Sequence, residues 1–229
     1  MNHLPIPHRE FPGKPAGLQP VEEPLVDIAD LHEPRLHTSM EYHRQGLPGA
    51  TSRCLLRQSA ADRLRRALAL LPPGYGFQIY DAWRPIQVQQ ALFDSYYQAV
   101  KNRSAGQSLS EDQLLDQVRR FVSIPSYDVR NPSVHNTGGA VDLTILDDQE
   151  RPLPMGTAFD DFTQAAHTDY FETHEGTSCR DNRRLLYACM TAVGFTNLPS
   201  EWWHYDYGTN FWSYYTGEPA IYTGILSEG

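Results

Sequence analysis

Any fold this chain adopts must reconcile two segments that lie far apart along it. The first, Ser133-Val-His-Asn-Thr-Gly-Gly-Ala-Val-Asp-Leu-Thr-Ile145, carries His135 and Asp142 on either side of a Gly138-Gly139 pair. The second, Pro199-Ser-Glu-Trp-Trp-His-Tyr-Asp-Tyr-Gly208, carries Glu201 and His204. Two imidazoles and one carboxylate can hold a zinc ion with one coordination position left open. A further carboxylate three residues before the last ligand suits a base. If these groups meet in space, they describe a metal-dependent hydrolase.

The local chain supports such a meeting. His135 precedes a tight glycine turn, and Asp142 lies on the apolar run Ala140–Ile145 that leaves it, so the two can converge. The second glycine reads either as room for backbone close to the metal or as plain turn chemistry. In extended chain, Glu201 and His204 would point to opposite faces, so a bend at Glu201-Trp202 is required. Each spacing alone also arises by chance. His135 also reads as a capping or surface residue, and the aromatics around 202–205 as core packing. His167 and His174, seven apart, are reserve ligands.

Residues 1–24 contain six prolines and read as an arm that hugs the surface without helix or strand. Cys54–Leu56 suggests a short strand. Ser59–Leu71 suggests a helix with Leu64, Leu68 and Leu71 inward and Arg63, Arg65 and Arg66 toward solvent, ended by Pro72-Pro73-Gly74. Gly76–Ala82 alternates as a strand. Pro85 then reads as the first residue of a helix with Val88, Leu92, Tyr96 and Val100 buried. Arg84 therefore stands at a strand-to-helix junction, from which a fixed side chain can reach a cleft and stabilise an oxyanion. Asn102–Ser110 is a polar loop, and Ser110 to Gln113 forms a capping box for a helix through about Phe121. Asp147–Met155 is a turn or hairpin excursion, Cys179–Val193 a helix closed by Gly194, and Trp202–Tyr207 a strand edge. Mixed helix and strand without repeated βαβ units or a phosphate loop make a single α+β domain.

Composition narrows the partners. The net charge is -9, with Lys14 and Lys101 as the lysines, so no basic block exists to bind nucleic acid. Three cysteines without paired spacing argue against a disulfide framework and a thiolate zinc site. The apolar run Ala67–Leu71 is far too short for a bilayer, so no membrane insertion is expected. The N-terminus lacks a usual signal peptide, and a cytoplasmic location is expected, or a periplasmic one if a leader was removed. Homo-oligomerisation is left open.

Four ordered motifs then carry a resemblance. DAWRP at 81–85, SVHNTGGAVDLT at 133–144, PMGTAFD at 154–160 and EWWHY at 201–205 resemble the VanX-type zinc D-alanyl-D-alanine dipeptidases, within the zinc D,D-peptidases. The resemblance covers roughly residues 25–215 and implies one catalytic domain over 25–229 behind the 1–24 arm. It implies a core similar to the D,D-carboxypeptidases and the hedgehog signalling domain, with a central antiparallel sheet and flanking helices. It also implies one zinc ion on His135, Asp142 and His204, Glu201 as catalytic base, and Arg84 stabilising the tetrahedral intermediate. Asp160 would anchor the substrate's ammonium and Ser133 would help hold its carboxylate. Without the resemblance these two read as a helix cap and a turn hydroxyl. A YATxxNF-like segment that supplies an aromatic hydroxyl in the family corresponds to Leu36–His43, where His37 stands in the tyrosine's place with Tyr42 nearby. The implied reaction is hydrolysis of free D-alanyl-D-alanine. A D,D-carboxypeptidase acting on longer peptidoglycan peptides and a non-catalytic zinc-containing binding domain are the alternatives.

Overall fold

The computed structural model describes residues 3–104, 109–119 and 121–227. In chain order the elements are β1 (Leu25–Asp27), β2 (Leu36–Thr38), α1 (Glu41–Arg44), β3 (Leu55–Arg57), α2 (Gln58–Leu68), β4 (Gly76–Asp81) and α3 (Ile86–Arg103). They continue with α4 (Glu111–Val118), β5 (Ala140–Leu146), α5 (Tyr170–Thr173), α6 (Thr177–Ala192), β6 (Thr196–Asn197), β7 (His204–Asp206) and α7 (Asn210–Thr216).

The central strand is β5, buried along its whole length. It sits in the middle of a five-stranded sheet of order β2-β4-β5-β7-β6, while β1 and β3 form a separate antiparallel pair. The α+β architecture agrees with the sequence expectation. The main sheet is antiparallel except at one edge, where β2 runs parallel to β4. The intervening chain contains α2, and such a helical crossover is what lets two strands of one sheet run the same way. Trp202–Tyr207 was expected at a sheet edge. Instead, β7 lies inside the sheet and the two-residue β6 covers it.

Val141, Leu143 and Ile145 of β5 join Phe77 and Ile79 of β4 in the main core, against α2 and α6. Alanines at 60, 61 and 67 are fully buried and let α2 approach closely. Arg63 does not reach out to solvent as expected. Its guanidinium lies 4.0 Å from the centre of the Tyr207 ring and donates to the Val193 carbonyl at 2.6 Å. Pro85 caps α3 rather than beginning it, with ψ at 149°. The Ser110–Gln113 capping box forms as read, with both reciprocal bonds present. The polar loop expected over Asn102–Ser110 falls partly on 105–108, outside the described residues.

Helices α3 and α4 enclose a second, smaller cluster of Val100, Leu114, Val118 and Val122. Phe162 and Phe121 pack against it. A cavity lies in the space between this helical pair and the sheet. Residues 3–24 lie along the surface without helix or strand, apart from an isolated bridge between Leu18 and Ala220. Among the described residues no helix is long and apolar enough to cross a membrane.

Candidate active site

Register brings the two distant segments together. Asp142 of β5 is directly opposite His204 of β7 and also opposite Asp81 of β4, after a register shift between Ile79 and Asp81. Directly opposed residues share a face of the sheet, so these three side chains form a row across three strands. His135 enters this row from a short 3-10 turn, Val134–Thr137, closed by Gly138 in the left-handed region at φ 75°. Thr137 Oγ1 locks the turn by donating to the Val134 carbonyl at 2.5 Å and accepting from Gly139 N–H at 2.9 Å. Gly139 does not make room for a metal. A Cβ there would run into the Tyr207 carbonyl, so glycine is required for the backbone to pass the end of β7.

The ligand atoms of His135, Asp142 and His204 all lie within 4.8 Å of one another, and all three residues are buried. The outer nitrogens show how each ring is oriented. His135 Nδ1 lies 2.8 Å from the Ala82 carbonyl, which can only accept, so it carries a proton there. His204 Nε2 lies 2.9 Å from Asp206 Oδ2, whose other oxygen accepts from Thr209 at 2.8 Å. The remaining nitrogens, His135 Nε2 and His204 Nδ1, face each other across 3.1 Å, with Asp142 Oδ1 2.9 Å from the latter. Two lone pairs and a carboxylate converging on one point, each ring held from behind by an acceptor, are a donor set that fits zinc. Burial alone would raise Asp142, but the two imidazoles hold it well below the usual carboxylate range. Burial would lower His204, yet Asp206 and Asp142 hold it well above the usual histidine range. Such a proton occupies the place a cation would take.

Glu201 reaches the same cavity because Trp202 and Trp203 form the bend the sequence demanded, with the His204 N–H bonded to the Glu201 carbonyl at 3.3 Å. Its carboxylate is buried and has no side-chain hydrogen bond among the described residues. Burial, reinforced by the charge of Asp142 and opposed by His204, pushes it up to about 8.

Arg84 is fixed on several sides. Its Nη2 lies 2.7 Å from Asp81 Oδ2, its Nε donates to the same oxygen at 2.9 Å, and its Nη1 donates to Gln89 at 2.7 Å. Asp81 also lies 3.2 Å from His135 Nδ1, which ties the arginine to the ligand cluster.

Asp160 lines the cavity from an irregular loop. Its φ of 58° is left-handed, which aspartate tolerates better than most residues. Phe159 stacks on Tyr80 at 4.9 Å, and Phe162 packs on Tyr96 at 5.1 Å, gripping the loop on both sides of the carboxylate. The helix-cap reading of Asp160 is not realised, since no helix starts there. The carboxylate accepts from the Tyr42 hydroxyl at 3.0 Å. Burial and the charge of Asp142 push it up to about 7 against the pull of Arg84.

Two sequence-predicted residues stand elsewhere. His37 is on β2, opposite Gln78, and does not line the cavity, whereas Tyr42 does. Tyr42 sits between Asp160 and the Arg84 Nη2, which is 3.5 Å from its hydroxyl. Ser133 is buried, but its hydroxyl donates to the Ile124 carbonyl at 3.2 Å and the residue lines a neighbouring depression. Sequence reasoning passed over Asp206, although its i+2 spacing from His204 puts both on one face of a strand. It also passed over Arg183, which no local signal marks. Buried on α6, Arg183 donates to the carbonyls of Met155, Ala165 and His167 at 2.8, 2.8 and 2.6 Å, clamping the loop that bears Asp160. Burial pushes its guanidinium down to about 10.

The cavity lined by the three ligands, Glu201, Arg84, Asp160 and Tyr42 has a volume of about 220 Å³. The family model of D-ala-D-ala dipeptidases, Peptidase M15, matches residues 41–217. The chain is similar to a D-alanyl-D-alanine dipeptidase of Synechocystis sp. PCC 6803, with 32% identity over 67% of this chain and 68% of that one. It is similar to the protein of the same description from Escherichia coli K12, with 31% identity over 80% and 83%. A solved structure of a variant of the vancomycin-resistance D,D-pentapeptidase VanY, in complex with Zn(II), aligns with a TM-score of 0.44 at 17% identity, over 67% of this chain and 73% of that one.

Proposed function

The chain belongs to the Peptidase M15 family of D-ala-D-ala dipeptidases, and from that premise we propose that it hydrolyses free D-alanyl-D-alanine to two D-alanines at the cavity between the sheet and α3–α4. It is a zinc metallopeptidase, and His135, Asp142 and His204 would hold one zinc ion. Bound there, zinc supplies a Lewis acid that makes water more acidic and polarises the scissile carbonyl.

One observation carries the choice of substrate. Asp160, half-buried in the same cavity as the three ligands, has the neutral Tyr42 hydroxyl as its hydrogen-bond partner. A half-buried carboxylate so placed is completed by a cation, and a free dipeptide brings an ammonium. The ammonium in turn favours the ionised form of Asp160. A longer or N-capped peptide would set an uncharged amide against this carboxylate and leave the charge unmatched.

The remaining roles follow from position. Glu201 takes a proton from the attacking water and passes it to the departing amine nitrogen. Arg84, held rigid by Asp81 and Gln89, stabilises the negative oxygen that develops at the scissile carbon, and its rigidity means little reorganisation during reaction. Asp206 and the Ala82 carbonyl keep the two imidazoles in the tautomers that metal binding needs. Ser133, facing Ile124, would need to turn its hydroxyl to meet the substrate's carboxylate.

The test compares D-Ala-D-Ala, L-Ala-L-Ala and N-acetyl-D-Ala-D-Ala with the zinc-loaded protein, scored by released alanine. Selective cleavage of free D-Ala-D-Ala is expected. Preference for the acetylated peptide would move the assignment to a D,D-carboxypeptidase, and no cleavage of any peptide would leave a binding domain.

A further inference from the structure

The arm brings one side chain into the catalytic cavity. Phe11 lines it and packs edge-on against Phe211 of α7, with ring centres 5.8 Å apart at 71°. The matched family span begins at residue 41, so Phe11 lies outside what the family model covers. Phe11 is 49% exposed, yet the chain on both sides of it is pinned. Upstream, the Ile6 N–H donates to Glu172 at 2.9 Å, His8 Nδ1 lies 2.7 Å from Asp169, and the Glu10 carbonyl accepts from the Tyr215 hydroxyl at 2.8 Å. Downstream, the Ala16 N–H donates to Ser213 Oγ at 2.9 Å, and the Gln19 N–H to the Ala220 carbonyl at 2.8 Å. A half-exposed phenyl ring on so tethered a segment is held for contact rather than left to solvent.

What lies beyond the ring gives it a task. The adjoining depression shares Ser123, Val134 and Phe211 with the catalytic cavity and continues past Gly13 and Ser133. Asp160 lines the catalytic cavity and not the depression. With the ammonium at Asp160, Ser133, the residue proposed to meet the carboxylate, lines this depression and marks the boundary as the carboxylate end.

We propose that Phe11, with Phe211, forms an aromatic lip that closes the carboxylate end of the cavity and makes Phe11 a specificity-determining residue against peptides extended beyond their second residue. The inference rests on the dipeptidase reading and adds to it a length stop supplied by the arm. The ring acts by occupying volume, so its removal joins the cavity to the depression, and a larger ring narrows the passage.

The experiment measures kcat/KM for D-Ala-D-Ala, D-Ala-D-Ala-Gly and Gly-D-Ala-D-Ala with wild type, Phe11→Ala and Phe11→Trp, alongside their melting temperatures. Phe11→Ala should raise the ratio of D-Ala-D-Ala-Gly to D-Ala-D-Ala cleavage about tenfold, the scale expected when a steric wall is lost. Phe11→Trp should lower it. The ratio for Gly-D-Ala-D-Ala, extended at the Asp160 end, should stay put in both. Unchanged ratios for the first tripeptide in both variants, or equal gains for the two tripeptides, overturn the lip. Failure of the wild type to cleave D-Ala-D-Ala is a separate result that overturns the dipeptidase reading and the lip with it.

Discussion

The two walls of the cavity are built differently. On one wall, Asp142 and His204 stand side by side on β5 and β7, fixed by ladder hydrogen bonds, with Asp81 of β4 continuing the row behind them. On the other, Asp160 and Tyr42 come from outside the sheet, and the loop that bears Asp160 depends on two aromatic contacts and the Arg183 clamp. The strand wall derives its geometry from register, so each position is reproduced to within the tolerance of a sheet. The loop wall derives its geometry from side chains, each of which can be lost singly. Damage to the first wall should therefore appear in the metal site or in the chemical step, and damage to the second in substrate selection.

The largest effect should come from the strand side. Glu201→Gln should lower kcat about 10³-fold while the protein keeps one equivalent of zinc. Steady-state kinetics with elemental analysis of the same sample checks this, and near-wild-type turnover would remove Glu201 from its role. On the loop wall, Asp160→Asn keeps a side chain that tolerates the left-handed backbone and should lower kcat/KM for free D-Ala-D-Ala about 10²-fold. Hydrolysis of the N-acetylated peptide should suffer much less. Equal losses on both substrates would erase the distinction between the walls.

Smaller lesions sharpen the contrast. Asp206→Asn should weaken zinc affinity about 10–100-fold, read by chelator competition, because the His204 ring loses its charged support. Arg183→Met strands three loop carbonyls and should cost about 2–3 kcal/mol, a drop of about 5–10 °C in melting temperature. KM should rise with zinc affinity unmoved. A weakened metal site in this variant would show that the walls are coupled. The smallest effect concerns the arm. Its hydrogen bond to Asp169 raises His8 above the usual histidine value of 6.5. The contact is thus fully present below about pH 6.5 and lost as pH rises through the raised value. Amide exchange near Ile6, compared at pH 5.5 and 8.5 after correction for the intrinsic rate, should show a looser arm at the higher pH; equal protection would count against this tether.

Legibility in the sequence followed the same division. The glycine turn before β5, the alternation in β4 and the bend required between Glu201 and His204 are local, and each could be read from neighbours in the chain. Asp206 was readable by the same strand period and was overlooked. Tyr42 was noticed beside His37 but could not be placed, because its partner lies 118 residues away, and Arg183 was not readable, because its partners lie on backbone whose path no pattern announces. His37 went astray for a related reason. Its motif position was judged by likeness, whereas its place opposite Gln78 depends on a parallel pairing made only after the chain has returned through α2. The arm was legible as an arm, but a proline-rich composition says nothing about where one phenylalanine will rest.

The cross-strand pairing of Asp142 with His204 has a consequence for folding. A slip of one residue between β5 and β7 would turn His204 and Asp206 to the far side of the sheet together. Any ion that requires both Asp142 and His204 would then bind only the correctly aligned strands. Its binding free energy would be added to the native alignment and withheld from the slipped ones. The metal site would thus double as a proofreader of strand alignment, and apoprotein refolded without zinc is where misaligned chains should accumulate.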